Sequence, residues 1–166
     1  MRYIKSMSCL ILLAVSTVAS SAEWRYNKEK DEMRGVTNEW ASLMSENAVN
    51  LSRPYDGGSY LNLVIRNMPK KYGVDVYITL SKGQLQCSYS DCRLPVKFDD
   101  GKILTYRATR ADGGHSDTIF ISDSQASAFI RRTKAAKRII IEPEIWRAGA
   151  TQFVFEPKSP LAWDKK

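Results

Sequence analysis

The chain is poor in the residue types that metal sites and activated nucleophiles most often use. Its 166 residues include a single histidine, His115, and three cysteines. The sequence therefore contains too few histidines for metal sites built on histidine or for Cys–His pairs. The phosphate-binding loop, the dinucleotide fingerprint and the G-x-S-x-G nucleophile turn are also missing. These absences predict a protein that is not an enzyme and that holds no metal and no cofactor.

Two other groups could still be read as catalytic. Residues 115–117 spell His-Ser-Asp, but triad members normally come from separated segments, so we interpret His115 as a solvated loop residue. Asp99 begins a D-D-G turn, and we interpret Glu142 and Glu144 as solvent-facing residues at the end of a strand. A hydrolase that uses carboxylates alone stays open as an alternative, and it would require Glu142 or Glu144 to share a concave site with Asp99.

The sequence has no apolar run of the ~20 residues that a membrane span needs. Its longest apolar stretch, residues 9–18, follows the positive residues Arg2 and Lys5 and precedes several small residues. This pattern is typical of a cleaved secretory signal, with the cut before Glu23. We therefore expect a signal peptide over residues 1–22 and one β-rich domain over residues 23–166. The expected location is the periplasm, with secretion as the alternative.

Removal of Cys9 with the signal leaves Cys87 and Cys92. Two cysteines in an oxidising compartment predict a disulfide, and the bridge requires their Cα atoms to lie within ~7 Å. A redox pair or half of a metal site is the competing interpretation, and the spacing and the single histidine speak against both. The predicted bridge would shape a local turn more than it would hold the fold together.

Alternating apolar residues predict mostly strands. Residues 74–80 and 61–65 alternate cleanly, and Asp-Gly at 100–101 predicts a tight type I′ hairpin. We expect a short strand over residues 24–26 followed by a charged turn, and a strand pair turning near residues 34–35. One helix is expected over residues 122–137, with an apolar stripe formed by Ala126, Phe129, Ile130 and Thr133. The resulting fold class is mainly β (α+β), an antiparallel β-sandwich or bent sheet of about eight strands, with the helix in its C-terminal half and Trp163 covering an end of the core.

Two loops and one basic cluster are candidates for binding. Tyrosine and glycine in loops suit a protein-binding surface, and the candidate loop residues are Pro54, Tyr55, Gly57, Gly58, Ser88, Tyr89 and Ser90. The formal net charge is +7, and removal of Arg2 and Lys5 with the predicted signal lowers it to +5, which still permits anionic partners. The candidate anion contacts are Arg131, Arg132, Lys134, Lys137 and Arg138, although such a cluster is also typical of the solvated face of a helix. No aromatic residues interleave with them, so nucleic acid is not expected as a partner.

Several short motifs extend over nearly all of the sequence that follows the predicted signal peptide. They are Trp24-x-Tyr26, Asp31-x-Met33 with Gly35, Ser45-x-Asn47, Pro54-Tyr55-x-Gly57-Gly58, Gly83-Gln84, both cysteines, the run from Phe98 to Gly101, Ala136-Lys137 and Phe153-x-Phe155. In this pattern the chain resembles a family of small exported bacterial proteins. The layout is also similar to periplasmic accessory proteins of type VI secretion, which carry a strand like Leu61 to Arg66. Neither resemblance implies a catalytic residue.

The sequence therefore predicts an exported, soluble, non-enzymatic periplasmic protein that contacts a protein or another component of the envelope. One alternative is an inhibitor or immunity protein against a cell-wall hydrolase, which would insert one of the two candidate loops into an enzyme cleft. Another is an accessory role in type VI secretion. The oligomeric state is left open.

Overall fold

The computed structural model describes residues 22–88, 92–111 and 116–165, and it confirms the mainly β architecture. The described residues form the strands β1 (Arg25–Asp31), β2 (Val36–Met44), β3 (Val49–Leu51), β4 (Gly57–Ser59), β5 (Leu61–Met68), β6 (Gly73–Leu80), β7 (Cys92–Phe98), β8 (Leu104–Arg110), β9 (Thr118–Ile121), β10 (Ile139–Ile141), β11 (Glu144–Ile145), β12 (Gly149–Ala150) and β13 (Phe153–Phe155), with one helix, α1 (Asp123–Ala135), between β9 and β10.

Nine of these strands form one antiparallel sheet in the order β1-β2-β5-β6-β9-β8-β7-β10-β13. The sheet is strongly bent, as contacts between the chain just after β2 and the last strand, β13, show. The amide of Glu46 donates to the carbonyl of Val154 at 2.7 Å. Asn47 accepts from the amide of Val154 at 2.8 Å and donates to the carbonyl of Gln152 at 3.0 Å. Of the two predicted architectures, the bent sheet is therefore the one observed.

Helix α1 packs on the apolar side of this sheet. Its buried residues are the four that the apolar stripe predicted: Ala126, Phe129, Ile130 and Thr133. The ring of Phe129 meets those of Phe98 and Tyr106 edge-on, at 5.5 and 5.1 Å between centroids. Trp163 is also buried and belongs to the core, as the sequence predicted.

The predicted charged turn after Tyr26 is wrong. Residues 27–31 continue β1, which pairs with β2 along its whole length as far as Asp31 opposite Val36. The strand lies at the edge of the sheet, and charged side chains at an edge discourage pairing with other chains. The predicted turn near residues 34–35 is confirmed, because Gly35 has a φ of +64° and its amide donates to the carbonyl of Asp31.

The predicted hairpin is confirmed, because β7 pairs antiparallel with β8, but the tight type I′ turn expected at residues 100–101 is not observed. Pairing between β7 and β8 ends at Val96 opposite Leu104, and the positive φ falls on Asp99, at +48°. The carboxylate of Asp99 accepts the amides of Lys137 and Arg138, both at 2.9 Å. The turn is closed locally by the amide of Gly101, which donates to the carbonyl of Phe98 at 3.0 Å, and the bonds of Asp99 tie it to the segment between α1 and β10.

The loop predicted over residues 54–59 ends earlier than expected. Its last three residues form β4, which pairs with β3. Ser59 is fully buried, and its hydroxyl donates to the carbonyl of Lys82 at 2.6 Å.

The predicted signal peptide lies almost wholly outside the described residues and stays a prediction. Ala22, its last residue, packs against the core, and its carbonyl accepts the amide of Lys158 at 3.0 Å.

Candidate binding sites

The cysteine loop is closed as predicted. Cys87 and Cys92 form a disulfide with 4.9 Å between their Cα atoms, and both residues are buried. The candidate residues Tyr89 and Ser90 lie outside the described residues, whereas Ser88 is exposed and lines a groove on the face of the sheet that points away from the core.

This groove exists because β6 and β9 separate. They pair only over residues 77–79 opposite 118–120. Beyond that point β6 continues to Gly73, while the chain after β9 enters α1. The opening has a volume of about 840 Å³, within the usual range of ligand pockets. We call it the outer groove, and its lining includes Arg66, Lys71, Tyr72, Asp75, Ser88, Thr109, Arg110, Phe120, Ser122 and Asp123.

An ion pair lies at the base of the outer groove. The register of β5 and β6 places Arg66 directly opposite Asp75. Arg66 donates from Nε to Oδ1 at 3.0 Å and from Nη2 to Oδ2 at 2.5 Å. The two side chains are only 16% and 8% exposed, so this two-point contact is held largely out of water.

Three aromatic rings surround the guanidinium of Arg66. Its Cζ lies 4.9 Å from the ring centre of Tyr72, 5.4 Å from that of Tyr77 and 5.5 Å from that of Phe120. Burial alone would lower the pKa of Arg66, but the hydrogen bonds and charge of Asp75 outweigh it and raise that pKa above its ordinary value. Arg66 is therefore a fixed cation at every accessible pH.

A second site lies where three loops meet beside the ends of β5 and β6 at Leu61 and Leu80. Tyr55 accepts a hydrogen bond from Nε2 of Gln84 at 2.8 Å, and the carbonyl of Gln84 accepts the amide of Trp146 at 2.9 Å. A cavity of about 200 Å³ lies between residues 50–52 and 55 on one side and 146–148 on the other. We call this site, formed by Tyr55, Gln84, Trp146 and Arg147, the loop-end surface.

The hairpin of β11 and β12 presents an aromatic and a cationic side chain together. Trp146 is 41% exposed, and the guanidinium of Arg147 lies 4.3 Å from the centre of its ring. Arg147 has a φ of +64°, which is rare for a residue with a side chain and is most often found at turns or functional sites.

The two predicted loops thus belong to two different sites. Tyr55 joins the loop-end surface, beside the exposed residues Pro54, Gly57 and Gly58, whereas Ser88 joins the outer groove. Asp75, Trp146 and Arg147 were not predicted as site residues, and Arg66 was noted only within a resemblance. The available signal for the hairpin was an aromatic residue followed by a cation, just before Ala148-Gly149.

The predicted basic cluster is divided in the structure. Arg131, Arg132 and Lys134 lie on α1. Lys137 and Arg138 follow the helix, and Arg138 is paired with Glu156 at 2.8 Å. The five residues therefore do not form one continuous row of unpaired cations.

The carboxylates of the alternative hydrolase make separate contacts. Asp99 binds backbone amides after α1, Glu142 accepts from the side chain of Gln152 at 2.6 Å, and Glu144 is exposed on β11. None of the three lines the outer groove or the cavity of the loop-end surface. Across the described ranges, no group of three or more His, Cys, Asp and Glu side chains is placed to hold a metal ion.

Comparison of the chain with protein-family models, with curated proteins and with solved structures gave no match in any of the three. Among the residues that the structure describes, no helix has the length and apolar character needed to cross a membrane.

Proposed function

We propose that the protein is an exported, non-enzymatic binding protein that contacts another macromolecule of the cell envelope through its loop-end surface. One observation carries this proposal: Trp146 and Arg147 are presented beside Tyr55 by a hairpin that other loops hold in place. Tryptophan, tyrosine and arginine are the residue types that most often dominate the energy of protein–protein contacts.

The hydrogen bonds that hold the loop-end surface in place indicate that this surface is rigid before it binds. The amide of Gln86 donates to the carbonyl of Glu144 at 2.7 Å, so residues 84–86 tie the hairpin to the sheet on two sides of Leu85, which is buried. The buried hydroxyl of Ser59 holds the neighbouring turn at Lys82. A surface that is already ordered loses less conformational entropy on binding.

Site-specific photo-crosslinking in the producing cell tests the proposal. A photoreactive phenylalanine analogue replaces Trp146 in one strain and Ile103, which is 68% exposed between β7 and β8, in a control strain. We expect an adduct of defined mass from position 146 and none from position 103. The absence of an adduct at 146, or the same adducts at both positions, would contradict the proposal.

The charge of the hairpin favours a second candidate, an inhibitor of a cell-wall hydrolase. Glycoside hydrolases carry paired carboxylates at their catalytic centres, and Arg147 is a cation at the turn of a short hairpin. If Arg147 enters such a cleft, the purified protein should inhibit lysozyme or a related hydrolase, and Arg147→Ala should lose that inhibition. No inhibition at micromolar concentration would exclude this candidate for the enzymes assayed.

A further inference from the structure

We propose that the outer groove binds a peptide carboxylate, with Arg66 as its main contact. This site is separate from the loop-end surface, and the proposal does not depend on that surface.

Arg66 has donors left over after its pairing with Asp75. A guanidinium carries five N–H groups, and the pair with Asp75 uses one on Nε and one on Nη2. No described residue accepts a hydrogen bond from the remaining three. The side chain is 16% exposed and none of its nitrogens is both fully buried and without a partner, so the unused donors open into the groove. The arrangement is suited to a ligand that brings an oxygen acceptor into the groove.

The orientation of Arg66 is fixed before any ligand arrives. Asp75 holds one edge of the guanidinium, and the rings of Tyr72, Tyr77 and Phe120 lie around it. Arginine binds a carboxylate best through two parallel hydrogen bonds from one edge of its plane. The rings also exclude water, which strengthens the attraction between the guanidinium and an incoming anion.

The charges of the groove favour a single negative charge. Three cations line it, Arg66, Lys71 and Arg110, against two anions, Asp75 and Asp123. Lys71 and Arg110 form no ion pair with any described residue. A doubly charged phosphate would lie near both Asp75 and Asp123, so a carboxylate fits this balance better.

The size and the walls of the groove favour a peptide. Its volume of about 840 Å³ is larger than a carboxylate alone requires, and its walls combine the apolar Phe120 with the hydroxyls of Thr109 and Ser122. The carboxylate of a peptide comes either from its C-terminus or from an acidic side chain. Both sources offer the same chemistry to Arg66, and the experiment must separate them.

Nuclear magnetic resonance of the ¹⁵N-labelled protein provides the test, through the Nε–H signal of Arg66 and the backbone amide signals of Asp75 and Phe120, which remain when Arg66 is replaced. The probes are acetylated tetra-alanine with a free C-terminus, an acetylated and amidated peptide with one glutamate, and the same peptide with glutamine. We expect a saturable shift with one or both carboxylate probes and none with the glutamine peptide. Whichever carboxylate probe binds more tightly identifies the source.

Arg66→Lys is the diagnostic variant, because it keeps the charge and loses the planar fork. We expect carboxylate binding to weaken about tenfold or more, whereas the control Arg131→Lys on α1 should bind as the wild type does. The remaining backbone signals report whether the variant is folded. If it is not, Arg110→Gln at the exposed rim replaces it, and several-fold weaker binding is expected. Unchanged binding in the folded variant, equal binding of the glutamine peptide, or no shift with any probe would overturn the proposal.

Discussion

The outer groove and the loop-end surface each present an arginine beside aromatic rings, but they hold it in different ways. Arg66 lies within a regular strand, is mostly buried and is paired with Asp75 on the next strand. Arg147 lies at a turn with a positive φ and stacks on Trp146, which is partly exposed. Arg66 contributes to the stability of the sheet. Arg147 is held in a strained conformation that contributes nothing to the sheet.

This difference predicts that the two sites respond oppositely to mutation. Changes in the outer groove should lower both stability and binding, because the same contacts serve both. Changes at the turn of the loop-end hairpin should lower binding while leaving stability unchanged or improving it. Sites that require strain are often those where stability and activity trade against each other.

The largest effect is expected from Asp75→Ala. This substitution leaves Arg66 buried without its counter-ion, and breaking a buried pair in this way costs about 3 kcal/mol or more of unfolding free energy. Urea denaturation of the purified protein measures the loss. The matched control is Asp31→Ala, which removes the exposed pair with Arg34 in the β1–β2 hairpin and should have little measurable effect.

A double variant separates burial from ion pairing in the groove. Arg66→Met with Asp75→Leu replaces both charges with apolar groups and should recover most of the stability that Asp75→Ala loses. If the single variant is as stable as the Asp31 control, the claim that Arg66 belongs to the stability of the sheet is wrong.

Removal of the disulfide should have the next largest effect. For so short a ring, the loop-closure model gives a loss of about 2 kcal/mol in the variant with serine at Cys87 and Cys92. Because Ser88 lines the outer groove, we expect weaker carboxylate binding there and unchanged crosslinking at Trp146. Equal disturbance of both sites would show that the bridge supports the whole fold.

Arg147→Gly should act in the opposite direction. A residue with a side chain pays about 1 kcal/mol or more to adopt a left-handed conformation, which glycine adopts freely. We therefore expect a gain of about 1 kcal/mol in unfolding free energy together with a loss of the adduct formed at position 146.

The matched control for Arg147→Gly is Gly149→Ala in the same hairpin. Gly149 has a φ of +69°, and an added Cβ there meets no atom within 4 Å. Its cost is therefore conformational alone, and it should destabilise by about the amount that Arg147→Gly stabilises. A loss of stability in Arg147→Gly would mean that the stack on Trp146 outweighs the backbone strain.

Alternation in the sequence predicted which residues share a face of a strand, but it did not predict which polar side chains on that face are buried. Alternation in residues 74–80 gave β6 correctly, yet it implied that Asp75 faces solvent, whereas Asp75 is 6% exposed. Its burial depends on Arg66, and that partner is set by the register of two strands, which alternation alone does not give.

The loop-end surface was harder to predict for a different reason. The strands β11 and β12 contain two residues each, too few to show any periodicity. The isolated bridge between Leu85 and Ile145 places the hairpin against the chain after β6. Such a contact between distant segments leaves no local pattern, so the sequence predicted Tyr55 as part of a binding loop but signalled the hairpin only through the composition at Trp146 and Arg147.

The smallest predicted effect concerns alkaline pH and Tyr77, whose ring centre lies 5.4 Å from the Cζ of Arg66 at the base of the outer groove. Burial raises the pKa of Tyr77 above its ordinary value of 10.0, even though the charge of Arg66 acts to lower it. The unfolded chain therefore loses the phenolic proton at lower pH than the folded protein does. The contribution of Tyr77 to stability is complete below the unfolded pKa, and it is lost as pH rises through the folded pKa.

Tyr77→Phe should make unfolding free energy less sensitive to pH above 10, and Tyr106→Phe should do the same in the core, because burial also raises the pKa of Tyr106. Urea unfolding at neutral pH and above pH 10 measures both. If Tyr77→Phe keeps the wild-type dependence while Tyr106→Phe reduces it, the ring of Tyr77 is open to water. The aromatic side chains around Arg66 would then be exposed like those of the loop-end surface, and the difference between the two sites would be smaller than the geometry indicates.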